Sequence, residues 1–303
     1  MSGIPDEVRR LAAEREERRA AKEFAAADEL RDRIAELGYR VVDGPSGSSL
    51  ESIEAATLER LRPADVPSAL EDVPTADASV HWVCEGWPED IVRALEGFRA
   101  AAGALEVQYV VADVTGEATD AFGGDVEVLS LVPDAGWAAA RNAGLRRSGG
   151  ALVLAVDGSI EPTGDVFGPL RERVADPSVG VCGPFGIVSE DLRTFEPSSG
   201  IGPAREVDAV EGYLMAFRRD VLVRVGPFDE RFRWYRTADI EWSFRVKDAG
   251  LRAVVVDVPV ERHEHRMWSS TRAEDRDRLS KRNFYRFLDR YRGRTDLLVR
   301  PGA

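Results

Sequence analysis

The sequence predicts an α/β protein in which a mostly parallel sheet is flanked by helices and preceded by a helical hairpin. Strand-like and helix-like segments alternate from residue 79 onward, which is the pattern of right-handed βαβ crossovers. Residues 105–112 and 151–156 are nearly continuous apolar runs, as expected for parallel strands buried on both faces. The first 50 residues are instead charged and rich in alanine.

Two helices are predicted in the N-terminal region, over 5–19 and 22–37. Apolar residues in the second recur at three- and four-residue spacing, which forms one stripe. They are Phe24, Ala27, Leu30, Ile34 and Leu37. Gly38 follows where a helix favours a left-handed residue, and GPSGSS at 44–49 predicts a turn.

Prolines punctuate the stretch that follows a short apolar-periodic segment at 50–61. We therefore expect a helical hairpin over 1–50, a linker over 51–77 and an α/β domain over 78–303. The predicted strands of this domain are 79–83, 105–112, 126–131 and 151–156, and its predicted helices include 88–101, 136–147 and 275–291.

The composition argues against several classes of protein. The chain has 303 residues with 54 Asp and Glu against 41 Lys and Arg, and its formal charge of −13 argues against bulk binding of nucleic acid. Two cysteines are too few for a disulfide framework. No segment offers the roughly 18 apolar residues of a membrane span, and the N-terminus lacks the apolar core of a secretory signal. A cytoplasmic location is expected.

Two aspartates directly follow predicted strands. Asp113 comes after the run at 105–112, and Asp157 comes after the run at 151–156. Ligands of open α/β sheets bind beyond the carboxyl ends of the strands. Both carboxylates are therefore expected to face a binding crevice.

Two blocks of sequence resemble family 2 glycosyltransferases. The block WAAARNAGLRRSGGALVLAVDGSIEP at 137–162 has the family's ARN-G helix, a glycine, an apolar strand and a turn of the DXD type. The block at 210–256 has a glycine-containing strand, an Arg-Arg pair, GPFDE, an aromatic residue, an acidic pair and a later glycine. The blocks stand in the family order, and with the first βαβ unit the resemblance covers about residues 78–290.

This resemblance implies the GT-A fold and inverting transfer of a sugar from a nucleotide-diphosphate sugar to a hydroxyl acceptor. Asp239 matches the base that removes the acceptor proton, and the resemblance places Glu241 and Trp242 at the acceptor. A different interpretation makes Asp239 an acid that is favoured by the N-terminus of a helix.

On the donor side, the resemblance assigns Asp113 to the nucleobase and Arg141 and Asn142 to the nucleotide. The fork of donors on an arginine suits a diphosphate. Two other interpretations stay open at this point. Asp113 would be a loop residue that caps the next helix, and Arg141 would be a solvated helix residue.

The DXD-type turn departs from the family pattern, because it consists of Asp157-Gly158-Ser159. Asp157 and Ser159 are predicted to bind the donor, but a hydroxyl is a poorer ligand for Mg²⁺ or Mn²⁺ than the carboxylate usual at the third position. Asp157, His263 and His265 are predicted as ligands, since an H-x-H strand pair has both rings on one face. Two solvated loop histidines are the alternative. The divalent cation that the resemblance implies is expected to bind weakly or to be dispensable.

The N-terminal region has a resemblance of its own. AKEFAAADELRDRIAELGYRVVDGPSGSSL at 21–50 resembles the C-terminal tail of cysteinyl-tRNA synthetase, and less closely the UVR hairpin of excision-repair proteins. No HIGH or KMSKS signature is present, so aminoacylation is not implied. The segment either docks a protein or RNA partner or stabilises the larger domain.

Residues 262–300 hold 12 Lys and Arg against 6 Asp and Glu. In one interpretation, the basic helix in this segment faces an anionic membrane surface or a diphosphate-bearing acceptor. In the other, its basic side is simply exposed to solvent. The first interpretation goes with a location at the inner face of the membrane. The sequence thus predicts an inverting glycosyltransferase whose partners are a nucleotide-sugar and a hydroxyl acceptor, not nucleic acid. Its rival is a degenerate relative that binds nucleotide or glycan, or acts as a scaffold, without turnover.

Overall fold

The chain divides into two units, Met1–Arg60 and Leu61–Ala303. The computed structural model describes residues 4–21, 23–44, 47–52, 60–116, 121–198 and 205–299. Most of the apolar-periodic segment predicted at 50–61 lies outside these residues.

The N-terminal unit combines two helices with a β-hairpin. Helices α1 (Asp6–Ala20) and α2 (Phe24–Glu36) precede the antiparallel strands β1 (Tyr39–Gly44) and β2 (Gly47–Ser52). Gly38, with a φ of +81°, joins α2 to β1, as predicted for a residue that must be left-handed. The β-hairpin was not predicted, whereas the two helices were. Apolar side chains of helices and hairpin share a core, formed by Val8, Leu11, Leu30, Ile34 and Val41.

An eight-stranded sheet organises the larger unit. In order across the sheet, its strands are β11 (Arg205–Val207), β14 (Arg252–Val255), β8 (Val179–Gly183), β13 (Leu214–Arg218), β6 (Gly150–Val156), β3 (Ala76–Cys84), β4 (Val107–Asp113) and β5 (Val126–Ser130). Strands β6, β3, β4 and β5 run parallel, whereas β13 is antiparallel to β6 and β8. The predicted α/β class is confirmed.

Short strands surround this sheet. Strand β7 (Ile160–Pro162) pairs with β15 (Val260–Arg262). Strand β9 (Gly186–Val188) pairs with β10 (Glu196–Pro197) and β12 (Ala209–Val210). The β7–β15 pair matters for the site because it brings the segment after residue 262 beside the turn that follows β6.

Helices cover both faces of the sheet. They are α3 (Pro88–Ala102), α4 (Trp137–Arg146), α5 (Phe167–Val174), α6 (Arg219–Val225), α7 (Ala238–Asp248), α8 (Arg266–Ser270) and α9 (Ala273–Tyr291). Alternate residues of β6 enter two different cores, Leu152 and Leu154 on the side of α3, and Val153 and Ala155 on the side of α4 and α7. Burial on both faces explains the continuous apolar run of this strand. Among the described residues, no helix has the length and apolar character to cross a membrane.

Residues 61–75, which the sequence places in a linker, belong to the larger unit and pack against its other segments. Leu61 forms a parallel bridge with Leu131, and the side chain of Arg146 donates to the carbonyl of Pro63. Arg219 donates to the carbonyl of Asp72 at 2.7 Å. The prolines interrupt regular structure here without separating the segment from the sheet.

Candidate active site

The carboxyl ends of β3 and β6 open onto a cleft. Charged side chains from both strand ends and from later segments converge on it. They are Glu85, Arg141, Asp157 and His265, and the uncharged side chains of Ser159 and Tyr235 lie among them. The position matches the crevice expected for ligands of an open α/β sheet.

Asp157, directly after β6, is engaged on both of its oxygens. The N–H and hydroxyl of Ser159 donate to Oδ1 at 2.9 and 2.5 Å, and Nε2 of His265 lies 3.1 Å from Oδ2. Burial raises the pKa of Asp157, but the contacts with His265 and Ser159 outweigh it and hold that pKa below its usual value. Burial lowers the pKa of His265, and the Asp157 carboxylate reverses that effect, so the net shift is upward.

His265 is held in place by its neighbours. The backbone N–H of Trp268 donates to Nδ1 at 3.1 Å, so Nε2 bears the proton that faces Asp157. The Tyr235 ring stacks on the imidazole with centroids 4.6 Å apart, and Tyr213 meets it edge-on at 6.1 Å. The orientation of this histidine toward the cleft is thus fixed from three directions.

Arg141 places a buried cation in the cleft wall. Its side chain donates to the carbonyls of His81 at 2.6 Å and Val156 at 3.0 Å, which ties β3 to the end of β6. Burial lowers the pKa of Arg141 to about 10, against the pull of Asp157 and Glu85. The guanidinium therefore stays charged at neutral pH and has no carboxylate partner within 4 Å among the described residues.

Glu85 also lines the cleft, although it is not among the site residues predicted from the sequence. Burial raises its pKa to about 7, Arg141 lowers it, and Asp157 raises it further. Its signal in the sequence was available, since it directly follows β3 as Asp157 follows β6. The carboxyl of Glu85 changes charge near neutral pH, unlike an ordinary glutamate.

Asp239 lies in the first turn of α7 with its carboxylate held by backbone groups. Gly212 N–H donates to Oδ2 at 2.7 Å and Ile240 N–H donates to Oδ1 at 2.9 Å. A Cβ at residue 212 would lie 3.3 Å from Oδ2 of Asp239, so the glycine permits the close approach of its N–H to this oxygen. Burial raises the pKa of Asp239, and although these hydrogen bonds lower it, the net shift is upward. The residue after Gly212 is Tyr213, whose ring meets His265 edge-on, so one backbone segment carries a contact to Asp239 and a contact to the cleft histidine.

The acceptor contacts predicted for Glu241 and Trp242 do not fit their positions. Glu241 is 2% exposed and pairs with Arg245 at 3.1 Å and Arg290 at 2.9 Å, which joins α7 to α9. Trp242 is fully buried and its Nε1 donates to the carbonyl of Gly226 at 2.9 Å. Glu241, two residues after Asp239, projects from a different side of the helix, and Trp242 is enclosed in the core.

Two predicted donor residues also point elsewhere. Asn142 is fully buried, and its amide exchanges hydrogen bonds with the backbone of Phe228 at 2.8 Å in each direction. Asp113 is fully buried and accepts from the N–H and hydroxyl of Thr115 and the N–H of Gly116. The first residue ties α4 to the loop after α6, and the second shapes its own loop. Arg141, Asp157 and Ser159 are the predicted donor residues that the structure brings together.

The predicted cation ligands separate in the structure. His263 Nε2 lies 2.7 Å from Glu161, whereas His265 turns to Asp157, because both follow the end of β15 rather than lying within it. No group of three histidine, cysteine or acidic side chains among the described residues is placed to hold a metal ion. With both Asp157 oxygens already engaged, these residues do not fit a metal centre of their own.

Comparison with known proteins separates the two units. Residues 1–47 match the family model described as cysteinyl-tRNA ligase anticodon binding domain. They are similar to cysteine–tRNA ligases of Caldicellulosiruptor saccharolyticus, 43% identical over 51 residues, and Chlamydia caviae, 44% identical over 50 residues. These matches cover 17% and 16% of this chain, and 11% and 10% of the ligases. The chain thus spans about a tenth of the length of these relatives.

Solved structures of glycosyltransferases are similar over much of the chain. The crystal structure of GalNAc-T7 with UDP, GalNAc and Mn²⁺ aligns with a TM-score of 0.50 at 16% identity, covering 72% of this chain and 48% of that one. The mannosyltransferase PcManGT from Pyrobaculum calidifontis with GDP-Man and Mn²⁺ aligns with a TM-score of 0.44 at 19% identity, covering 65% and 59%. The chain spans about half of the first relative, and the fold is the predicted GT-A fold.

Proposed function

We propose that this protein is an inverting glycosyltransferase of the family 2 type, which moves a sugar from a nucleotide-diphosphate sugar to a hydroxyl acceptor. One observation carries the proposal. A cleft with the buried Arg141 cation and the Asp157–His265 pair adjoins a separate carboxylate, Asp239, whose pKa burial raises. Donor binding and proton removal require two such neighbouring environments.

The cleft residues suit a nucleoside diphosphate. Arg141 supplies a fixed positive charge, since backbone carbonyls and no carboxylate hold its guanidinium, and this charge favours phosphate oxygens. His265 holds the Asp157 carboxylate in place through its Nε2–H. Asp157 is an acceptor for the sugar or ribose hydroxyls of the donor, and Ser159 holds it in position.

Asp239 is the base of this proposal. In the transfer step, the acceptor oxygen forms a bond to the anomeric carbon as the bond from that carbon to the diphosphate oxygen breaks. The acceptor proton passes to the Asp239 carboxylate, and the bonding pair leaves with the nucleoside diphosphate. A raised pKa makes the carboxylate a stronger base than an exposed aspartate, and the Gly212 N–H fixes the oxygen that points at the acceptor.

No step here passes through a divalent cation, because the donor set does not fit one. The fold family implies Mg²⁺ or Mn²⁺. In this chain Asp157 and His265 contact each other at 3.1 Å and Ser159 offers only a hydroxyl. Positive charge for the leaving diphosphate is supplied by Arg141.

Calorimetric titration with UDP, GDP and dTDP tests the donor site. We expect at least one of them to bind, and Arg141→Gln to weaken that binding about tenfold or more because a charged contact is lost. Arg171→Gln, an exposed arginine on α5, is the matched control. Absence of binding by all three nucleotides would refute the donor site.

The Asp239→Asn variant tests the base. Its nucleotide affinity should stay within about twofold while transfer or hydrolysis of the nucleotide-sugar falls about 10²- to 10⁴-fold. Undiminished turnover in that variant would contradict the assignment. Nucleotide binding without turnover in the wild type would instead support the rival function, a degenerate binding protein, which the altered turn at Ser159 favours.

A further inference from the structure

Three arginines that lie against the Trp268 and Tyr213 rings have no ion-pair partner among the residues that the structure describes. Arg236 and Arg262 are exposed, and Arg276 is half-buried. Other arginines of the same region are paired with carboxylates, as Arg266 is with Asp90 at 3.2 Å. In a chain of net charge −13, these three cations lie together without a carboxylate at ion-pair distance among the described residues.

Aromatic rings hold the three guanidinium groups in place. Arg236 and Arg276 each lie 4.7 Å from the centre of the Trp268 ring. Arg262 lies 5.0 Å from the Tyr213 ring and 5.5 Å from the Phe185 ring. Such contacts orient a cation but neutralise little of its charge.

The arrangement leaves like charges close together. Because Arg236 and Arg276 lie at the same distance from one ring, their charges are no further apart than twice that distance. At this separation two positive charges repel each other. An anion that contacts these guanidinium groups would reduce the repulsion.

The cluster adjoins the proposed base. Tyr213, which contacts Arg262, follows Gly212, the residue whose N–H holds Asp239. Arg236 acts on the charge of Asp239 directly. Glu211 is a second acidic group in the field of Arg236 and Arg262, and burial raises its pKa. The cationic cluster therefore faces the acceptor side of the site.

We propose that the acceptor carries an anionic group, a phosphate ester or a carboxylate, which is bound by Arg236, Arg262 and Arg276 while its hydroxyl faces Asp239. The guanidinium fork matches the oxygens of either group through paired hydrogen bonds. This inference rests on the proposed function, because it names the class of acceptor for the same site. The anion site uses residues other than Arg141 and Asp157 of the donor cleft.

Calorimetry with glucose 6-phosphate, glucuronate and glucose, with and without UDP, tests the proposal. We expect the two anionic sugars to bind about tenfold more tightly than glucose, since the fixed cations recognise charge. The double variant Arg236→Gln/Arg262→Gln should lose this preference and keep its affinity for UDP within about twofold. Arg272→Gln is the matched control, since its side chain is 79% exposed and lies outside the cluster.

Sedimentation with vesicles distinguishes a soluble from a lipid-linked acceptor. Binding to phosphatidylglycerol but not phosphatidylcholine vesicles, lost in the double variant, would assign the anion to a lipid. The proposal is overturned if glucose binds as well as glucose 6-phosphate and no vesicle is bound, or if the double variant binds every probe like the wild type. Binding of the anionic sugars without any binding of nucleotide would refute the proposed function and leave the anion site standing.

Discussion

The imidazole of His265 and the carboxylate of Asp157 contact each other at 3.1 Å between Nε2 and Oδ2. The contact joins the segment after β15 to the turn after β6, which are distant in sequence. Since Ser159 occupies the other oxygen of Asp157, a ligand must bind alongside this pair or displace His265. The contact therefore holds these two segments together, and any ligand of the cleft has to accommodate it.

Replacing His265 by glutamine should destabilise the protein in a pH-dependent way. The pKa of His265 is raised above its usual 6.5, so its contribution is fully present below pH 6.5 and declines as pH rises through the folded-state value. We expect a loss of about 1.5 to 3 kcal/mol at pH 5.5 and a smaller loss at pH 8.5, measured by urea unfolding. His263→Gln is the control, because that ring contacts Glu161 instead. An equal loss at both pH values would show that the contact depends on shape rather than charge.

Nucleotide affinity should depend on the charge of Glu85. Burial raises its pKa to about 7 in the presence of Arg141, Asp157 and His265, so the carboxyl is mostly neutral at pH 6 and ionised at pH 8. A second negative charge in the cleft repels a diphosphate. Glu85→Gln should match the wild type at pH 6 and bind UDP about three- to tenfold more tightly at pH 8.

The ratio of variant to wild-type affinity is the quantity to measure, since it cancels the titration of the nucleotide itself. Glu89→Gln is the control, because Glu89 is exposed and paired with Arg266. A ratio that stays constant from pH 6 to pH 8 would place Glu85 outside the reach of the bound nucleotide.

Restoring a carboxylate at residue 159 should create a response to metal. In the wild type, the hydroxyl of Ser159 donates to Asp157 and is a weak ligand for Mn²⁺. We expect Mn²⁺ to raise the UDP affinity of Ser159→Asp about tenfold and that of the wild type less than about threefold, relative to EDTA. Ser159→Asn, similar in size and uncharged, separates charge from bulk. An identical metal response in all three proteins would mean that this turn does not face the diphosphate.

Trp242 should prove a core residue rather than an acceptor contact. It is fully buried, stacks on Phe228 with ring centres 5.5 Å apart and donates to the carbonyl of Gly226. Trp242→Ala should therefore cost about 3 to 5 kcal/mol of unfolding free energy. Trp242→Phe, which keeps the ring packing and loses the hydrogen bond, should cost less. A variant of wild-type stability with altered acceptor affinity would restore the role predicted from sequence.

The fold was predictable from sequence because parallel strands that are buried on both faces are nearly continuous runs of apolar residues. Strand β6 and helix α4 match their predicted ranges within a residue or two. The β-hairpin formed by β1 and β2 was not predicted, since its strands are short and largely polar and its stability depends on packing against the two helices.

The site was predictable where a residue directly follows a strand, and less so where a helix or loop sets the direction of a side chain. Asp157 reaches the cleft from the end of β6, as strand polarity requires. The direction of Asn142 depends on a partner 86 residues away, Phe228, which no local pattern encodes. The separation of His263 from His265 follows from strand β15 ending at Arg262, and strand ends are poorly specified by sequence.

The N-terminal unit should be separable from the larger one. Its core of Val8, Leu11, Leu30, Ile34 and Val41 is its own, and the sheet of the larger unit is complete without it. Deleting residues 1–60 should leave nucleotide affinity within about twofold and the urea midpoint of the larger unit within about 0.2 M. A large drop in that midpoint would show that the N-terminal unit stabilises the sheet.

The same deletion tests whether the N-terminal unit binds RNA. Residues 1–47 match an anticodon binding domain, but they hold 11 Asp and Glu against 9 Lys and Arg. Binding to RNA phosphates needs an excess of positive charge and weakens as salt rises. We therefore expect filter binding of total tRNA to be at background at both 50 and 200 mM salt. Retention that weakens with salt and is abolished by the deletion would instead make tRNA a partner, because only the 1–60 segment would then account for it.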